Sequence, residues 1–211
     1  MMITISDRAA KDPSFRIGLA VILALVSGLL SGALDDRLII RDQPLVPGLV
    51  FGAAMTIIVA VTNRPRLFNL AALFLGVLIA WLCAYNATSL SEPLMTRIVR
   101  AILNRPAEPG NSSMLPYAFV LMGLVGGFVG SLLTCAAVSI AAQSFRTRQN
   151  WLRTIPIGFV AGALLETMNA DGAFLHMKGT YLIFIIWQCA VAASIAYGLR
   201  SVSQATGRSP A

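Results

Sequence analysis

The sequence predicts an all-α, polytopic membrane protein with six transmembrane helices, built as two inverted three-helix repeats with an amphipathic interfacial helix between the halves. Three observations lead there. The composition is that of a chain folded in lipid, with a mean hydropathy of +0.76, 57% hydrophobic and only 12% charged residues, against roughly 25% charged in soluble domains. Runs without Asp, Glu, Lys or Arg recur at the length a bilayer needs, about 20 residues for a hydrocarbon core about 30 Å thick. Finally, proline and glycine recur at corresponding places in the two halves, at Pro47-Gly48 with Gly52 and at Pro156 with Gly158 and Gly162.

The spans follow in chain order. The first is the charge-free run Ile17 to Leu34, the second Gln43 to Asn63 and the third Leu67 to Ser91. The fourth run, Pro109 to Phe145, exceeds one crossing, so its helix is placed at Tyr117 to Ala142, after the loop PGNSSMLP. The fifth run, Thr154 to Leu165, is short. It either starts at Trp151 with Arg153 snorkelling to the headgroups, or dips in without crossing, and a full crossing keeps the basic segments on one side. Gly179 to Leu199 is the sixth. Together these make one membrane domain over residues 1–211, with repeat 1 at about 15–90, a connecting stretch at about 91–115, repeat 2 at about 116–200 and a disordered tail at 201–211. Within the connecting stretch, Leu94, Ile98 and Ile102 fall on one helical face and Arg97 and Arg100 on another. Ser91 is the predicted cap of this interfacial helix, with Glu92 and Pro93 in its first turn.

Loop charges set the orientation. Six spans with the N-terminus inside put ten Lys/Arg and two acidic residues on the cytoplasmic side, against six and seven outside. That bias predicts an integral protein of a bacterial inner (plasma) membrane with both termini cytoplasmic, and anionic lipid as a partner of the cytoplasmic face. No basic stripe interleaves with stacking aromatics, so nucleic acid is not expected as a partner. Tyr85, Tyr117 and Tyr181, with Trp151 and Tyr197, fall at span ends, where amphipathic rings sit at headgroup level. The first span also has the make-up of a secretory signal, with Arg8, Lys11 and Arg16 ahead of the apolar run and Ser31-Gly32-Ala33 after it.

The repeat rests on colinear matches. Val26 to Gly32 aligns with Val125 to Ser131, Gly48 and Gly52 with Gly158 and Gly162, and Ala80, Ala84 and Tyr85 with Ala192, Ala196 and Tyr197. Three spans per half invert the second half, and inverted repeats in transporters place the site at the midplane between them. A small membrane alphabet also aligns by chance, and the five GxxxG pairs, such as Gly28/Gly32 and Gly123/Gly127, are explained for the most part by close helix packing.

Candidate site residues follow. Glu166 lies 13 residues beyond Arg153, about 20 Å deep if the fifth span is helical to that point. A carboxylate at that depth is a pathway or proton-relay candidate, whereas if the span ends early it is a residue at the outer lip. Pro47, Gly48, Gly52, Pro156, Gly158 and Gly162 line the predicted path between the second and fifth spans. Asp35, Asp36, Asp42, Asp171 and His176 ring a predicted outer mouth and either draw cations inward or are ordinary solvated loop. No metal-ligand spacing, phosphate loop or catalytic nucleophile motif is present, so no cofactor and no catalytic residue is assigned. Cys83, Cys135 and Cys189 fall within spans and lack paired spacing, consistent with small apolar packing. The functional expectation is a small transporter or channel for a solute or ion; the alternative is a non-transporting accessory or scaffold subunit, in a homo-oligomer or a larger membrane complex.

Overall fold

A computed structural model describes residues 12–34, 39–40, 43–103, 115–164 and 179–199. The described residues form six α-helices: α1 Pro13–Leu34, α2 Val46–Asn63, α3 Leu67–Leu103, α4 Leu115–Ala141, α5 Arg148–Gly162 and α6 Gly179–Gly198. A two-residue antiparallel ladder, β1 Ile39–Ile40 with β2 Gln43–Pro44, precedes α2, and a 3₁₀ turn, Gln143–Phe145, joins α4 to α5. Four helices, α1, α2, α3 and the Tyr117–Ala141 part of α4, are long and apolar enough to cross a membrane, and Leu182–Gly198 is a shorter apolar helix.

Local chemistry sets the helix ends. Asp12 caps α1, its carboxylate accepting from the backbone N–H groups of Ser14 (2.9 Å) and Phe15 (3.2 Å), with Pro13 in the first helical position, where no N–H is needed. Pro47 occupies the same kind of position at the start of α2. At the end of α2, Arg64 turns left-handed (φ 48°) and its N–H closes on the Ala60 carbonyl at 3.1 Å, ahead of Pro65. Thr147 caps α5 by accepting from the Asn150 N–H.

The connecting stretch differs from its prediction. Residues 91–103 do not form a separate interfacial helix but continue α3 to a length of 37 residues, about 55 Å at 1.5 Å per residue. Ser91 is no cap: its hydroxyl donates to the Thr88 carbonyl at 2.8 Å inside the helix, and Pro93 is carried in the helix interior. Packing explains the continuation, because Val99, 4% exposed, lies against Ala118 and Leu121 at the start of α4 and lengthens the α3–α4 contact beyond the rest of the bundle.

Successive helices pack on one another and α6 returns to α1, so the six form a ring whose most extensive contacts are α3–α4 and α1–α6. Side chains fix their alternating directions. Arg16 at the start of α1 reaches the Ala196 carbonyl near the end of α6, and Asn63 at the end of α2 donates to the Ser144 hydroxyl beyond α4. One end of the ring, the basic end, therefore carries Arg16, Asn63, Arg146, Asn150 and Arg153. The core is apolar and spans the ring, with Met55, Ile58 and Val59 of α2, Leu73 and Val77 of α3, Val138 of α4 and Ile195 of α6 fully buried. The outward surface is equally apolar, with Ile22, Ile57, Leu75, Ile79 and Ile140 exposed, as lipid-facing helices require.

Candidate functional site

Opposite the basic end, a cavity of about 150 Å³ opens between α3, α4 and α6, with Gly162 at the end of α5 and Pro44 of β2 on its rim. Glycine makes the room. Gly123, Gly126 and Gly127 present one face of α4 without side chains, and aromatic rings from the other helices, Trp81 and Tyr85 of α3 and Phe184 and Trp187 of α6, close the rest. Trp81 and Phe184 meet edge to face with centroids 5.4 Å apart, and the Trp81 indole N–H donates to the Pro44 carbonyl at 2.7 Å, which ties the ladder to the wall. Thr88 and Ser89 supply hydroxyls at the rim, each bonded to its own helix, Thr88 to the Ala84 carbonyl and Ser89 to the Tyr85 carbonyl. No charged side chain lines this cavity among the described residues.

Trp187 forms the floor. Its indole N–H donates to the Gly158 carbonyl of α5 at 3.1 Å, and its ring meets Phe51 of α2 edge to face at 5.5 Å. The ring rests over Gly130, where an added Cβ would lie 3.1 Å from Trp187 Cζ2. Trp187 thus stands between α2 and α5, on the line where the sequence predicts a path.

The predicted glycines fall into two groups. Gly48 and Gly52 pack α2 on α3, against Trp81 and Leu78 and against Phe74 respectively. Gly158 and Gly162 pack α5 on α4, at Ser131, Gly123 and Gly127, where a Cβ would collide with backbone or side chain. These close approaches are the van der Waals contacts that small residues allow in lipid. Neither group unwinds its helix: α2 starts at Val46 and runs on through Pro47, Gly48 and Gly52, and α5 is continuous through Pro156. Of these residues, only Gly162 reaches the cavity. The matched glycines also have unmatched neighbours. Gly127 faces Gly158 and Gly162 on α5, so its aligned partner Gly28 should face Gly48 and Gly52 on α2, yet the residue against Gly28 is Ile185 of α6. Glu166, Asp35, Asp36, Asp42, Asp171 and His176 lie outside the described residues.

Below Trp187 the helices meet through hydroxyls. Ser131 of α4, fully buried, donates to the Gly127 carbonyl at 2.7 Å and reaches the Ile155 carbonyl of α5 at 3.3 Å. The hydroxyls of Thr154 on α5 and Ser194 on α6 bond at 2.8 Å. At the basic end, Arg153 donates to Asn150 Oδ1 (3.1 Å) and to the Ser194 carbonyl (3.2 Å) and stacks 4.3 Å over the Tyr197 ring, while Asn150 donates to the Gly198 carbonyl. The sequence does not mark this cluster because its members come from three helices, and only the packing of α4, α5 and α6 brings them together. The three cysteines are free, Cys135 being buried and Cys83 exposed, and no metal-binding cluster occurs among the described residues. In comparisons with protein-family models, with curated proteins and with solved structures, nothing matches this chain.

Proposed function

We propose that this protein is a small multi-pass membrane transporter for a small uncharged solute, entered through the cavity between α3, α4 and α6. The observation that carries the reading is that cavity: an aromatic and glycine pocket at one end of a helical ring, lined by no charged side chain among the described residues. Its volume is about that of an apolar cavity able to take a benzene ring. An ion stripped of water there would find no counter-charge among the described lining residues, whereas a neutral solute forfeits little. A seam of hydroxyls, Ser131, Thr154 and Ser194, lies beyond it. Six crossings, with both termini and the basic end on the cytoplasmic side of a bacterial inner membrane, are part of the same reading, supported by the alternating helix directions and the arginines gathered at one end. That end attracts anionic lipid. Two inverted halves, α1–α3 and α4–α6, are supported by the order of neighbours, since exchanging the halves turns the α3–α4 contact into the α6–α1 contact. Uptake into proteoliposomes, measured with a panel of neutral and charged small solutes, tests the proposal. Selective uptake of neutral solutes is expected; rates equal to those of protein-free liposomes for every solute contradict it.

A second reading is favoured by one observation. Leu90, Leu94, Ile98 and Ile102 expose an apolar stripe along the far part of α3, a surface suited to docking an accessory subunit on a membrane partner. A stoichiometric partner kept through purification in mild detergent supports it, and a lone particle contradicts it.

A further inference from the structure

We propose that the route beyond the cavity runs past Trp187 along the α4–α5–α6 seam, over Ser131, Thr154 and Ser194, and that it passes uncharged solutes able both to donate and to accept hydrogen bonds. This rests on the transport reading above and gives it a path and a substrate class.

The seam separates two unlike parts of the bundle. Between α1 and α2 the contact is made by aliphatic side chains, with Ala20, Ala24, Met55, Ile58 and Val59 fully buried; the buried Ser31 and Thr62 hydroxyls donate to their own helices, at Ser27 and Ile58, and no hydroxyl is bonded between those two helices among the described residues. The buried Ser31–Gln188 bond belongs to the α1–α6 contact, where Gly28 brings the backbones so close that a Cβ would lie 2.6 Å from Ile185 Cα. Where α4, α5 and α6 meet, the polar groups follow one another along the axis. Trp187 bonds the Gly158 carbonyl, Ser131 the Ile155 carbonyl and Thr154 the Ser194 hydroxyl; Arg153 then bonds the Ser194 carbonyl and Asn150 the Gly198 carbonyl. From Gly158 to Asn150 is eight residues of α5, about 12 Å, so the closed stretch between cavity floor and basic end is short.

Hydroxyls suit this passage because each can donate and accept, so a solute carrying both functions replaces the Thr154–Ser194 bond with equivalent ones. Trp187 is the closing element. The hydrogen bond to Gly158, the edge-to-face contact with Phe51 and packing over Gly130 hold it, and rotation of its side chain away from Gly158 joins the cavity to the seam. Arg153 stands at the exit with its Nε–H buried and unpartnered, a further donor for a leaving neutral solute and a barrier to cations.

Thiol accessibility tests the route. In a background with Cys83, Cys135 and Cys189 replaced by Ala, Ser131→Cys is challenged with a small water-soluble methanethiosulfonate, with Trp187 present and with Trp187→Ala. Trp187→Phe, which keeps the ring and loses the N–H, serves if the Ala variant does not fold. Modification that speeds up when Trp187 is changed, with Ala24→Cys unreactive throughout, is the expected result. Equal rates with and without the tryptophan, or Ala24→Cys reacting as fast as Ser131→Cys, overturn the route. Glycerol flux through Thr154→Val is expected to fall about fivefold, the effect of one lost hydrogen bond; unchanged flux overturns the route and leaves transport standing. Absence of flux in the wild type removes transport, while the thiol result still decides whether the seam opens.

Discussion

Single residues decide how closely these helices approach. Gly162 lies against the Gly123 carbonyl and Gly127 Cα, and Gly158 against Ser131, so one added methyl has no free space, whereas Gly18 has nothing within 4 Å. Gly162→Ala is therefore expected to destabilise the purified protein by about 1–3 kcal/mol, the cost of overpacking, and Gly18→Ala to leave its thermal melting unchanged. Equal melting temperatures for the two variants contradict the tight α4–α5 approach. Arg16 is the other telling residue. It is 4% exposed, its Nε–H donates to the Ala196 carbonyl at 2.6 Å, and it pins the start of α1 to the end of α6. Removing a charge-assisted bond of this kind costs about 1.5–3 kcal/mol, so Arg16→Met is expected to lower the melting temperature in detergent. Composition flags Arg16 only as a loop charge ahead of an apolar run, because its partner lies 180 residues away.

At the scale of elements, the ends that local chemistry governs are legible in the sequence. The predicted spans end at Leu34 and Asn63 and start at Leu67 and Gly179, as the helices do. What local signals cannot supply is tertiary support. Ser91-Glu92-Pro93 carries every mark of a helix start, yet α3 continues through it because Val99 finds Ala118 on α4, a contact no window of sequence contains. Likewise α5 hides behind Arg153, whose charge shortens the apolar run although its guanidinium is taken up by Asn150 and Ser194. The cavity is hidden for the same reason, as its walls come from separate helices and, of the predicted site residues that are described, only Gly162 reaches it. An unbroken α3 has a measurable length. Spin labels at the exposed positions Leu75 and Ile102, 27 residues apart, are expected about 40 Å apart by pulsed electron resonance. A distance near 29 Å, that of a segment turned at a right angle at Ser91, contradicts the continuous helix.

For the whole molecule, the ring of the six described helices gives a bundle whose interhelical hydroxyl bonds gather where α4, α5 and α6 meet, with a pocket at one end that no charged side chain lines among the described residues, arginines at the other end and the Trp187 indole between them. Lipid-facing helices gain no hydrophobic drive toward one another. The buried hydroxyls on three different helices therefore either hold the seam together or serve as its path, and solute flux separates the two. The most direct measurement is stopped-flow light scattering of proteoliposomes facing a glycerol gradient, wild type beside Trp187→Ala. Glycerol entry above that of protein-free vesicles, and faster still once the indole is removed, is the predicted result; entry that matches protein-free vesicles for both proteins contradicts it.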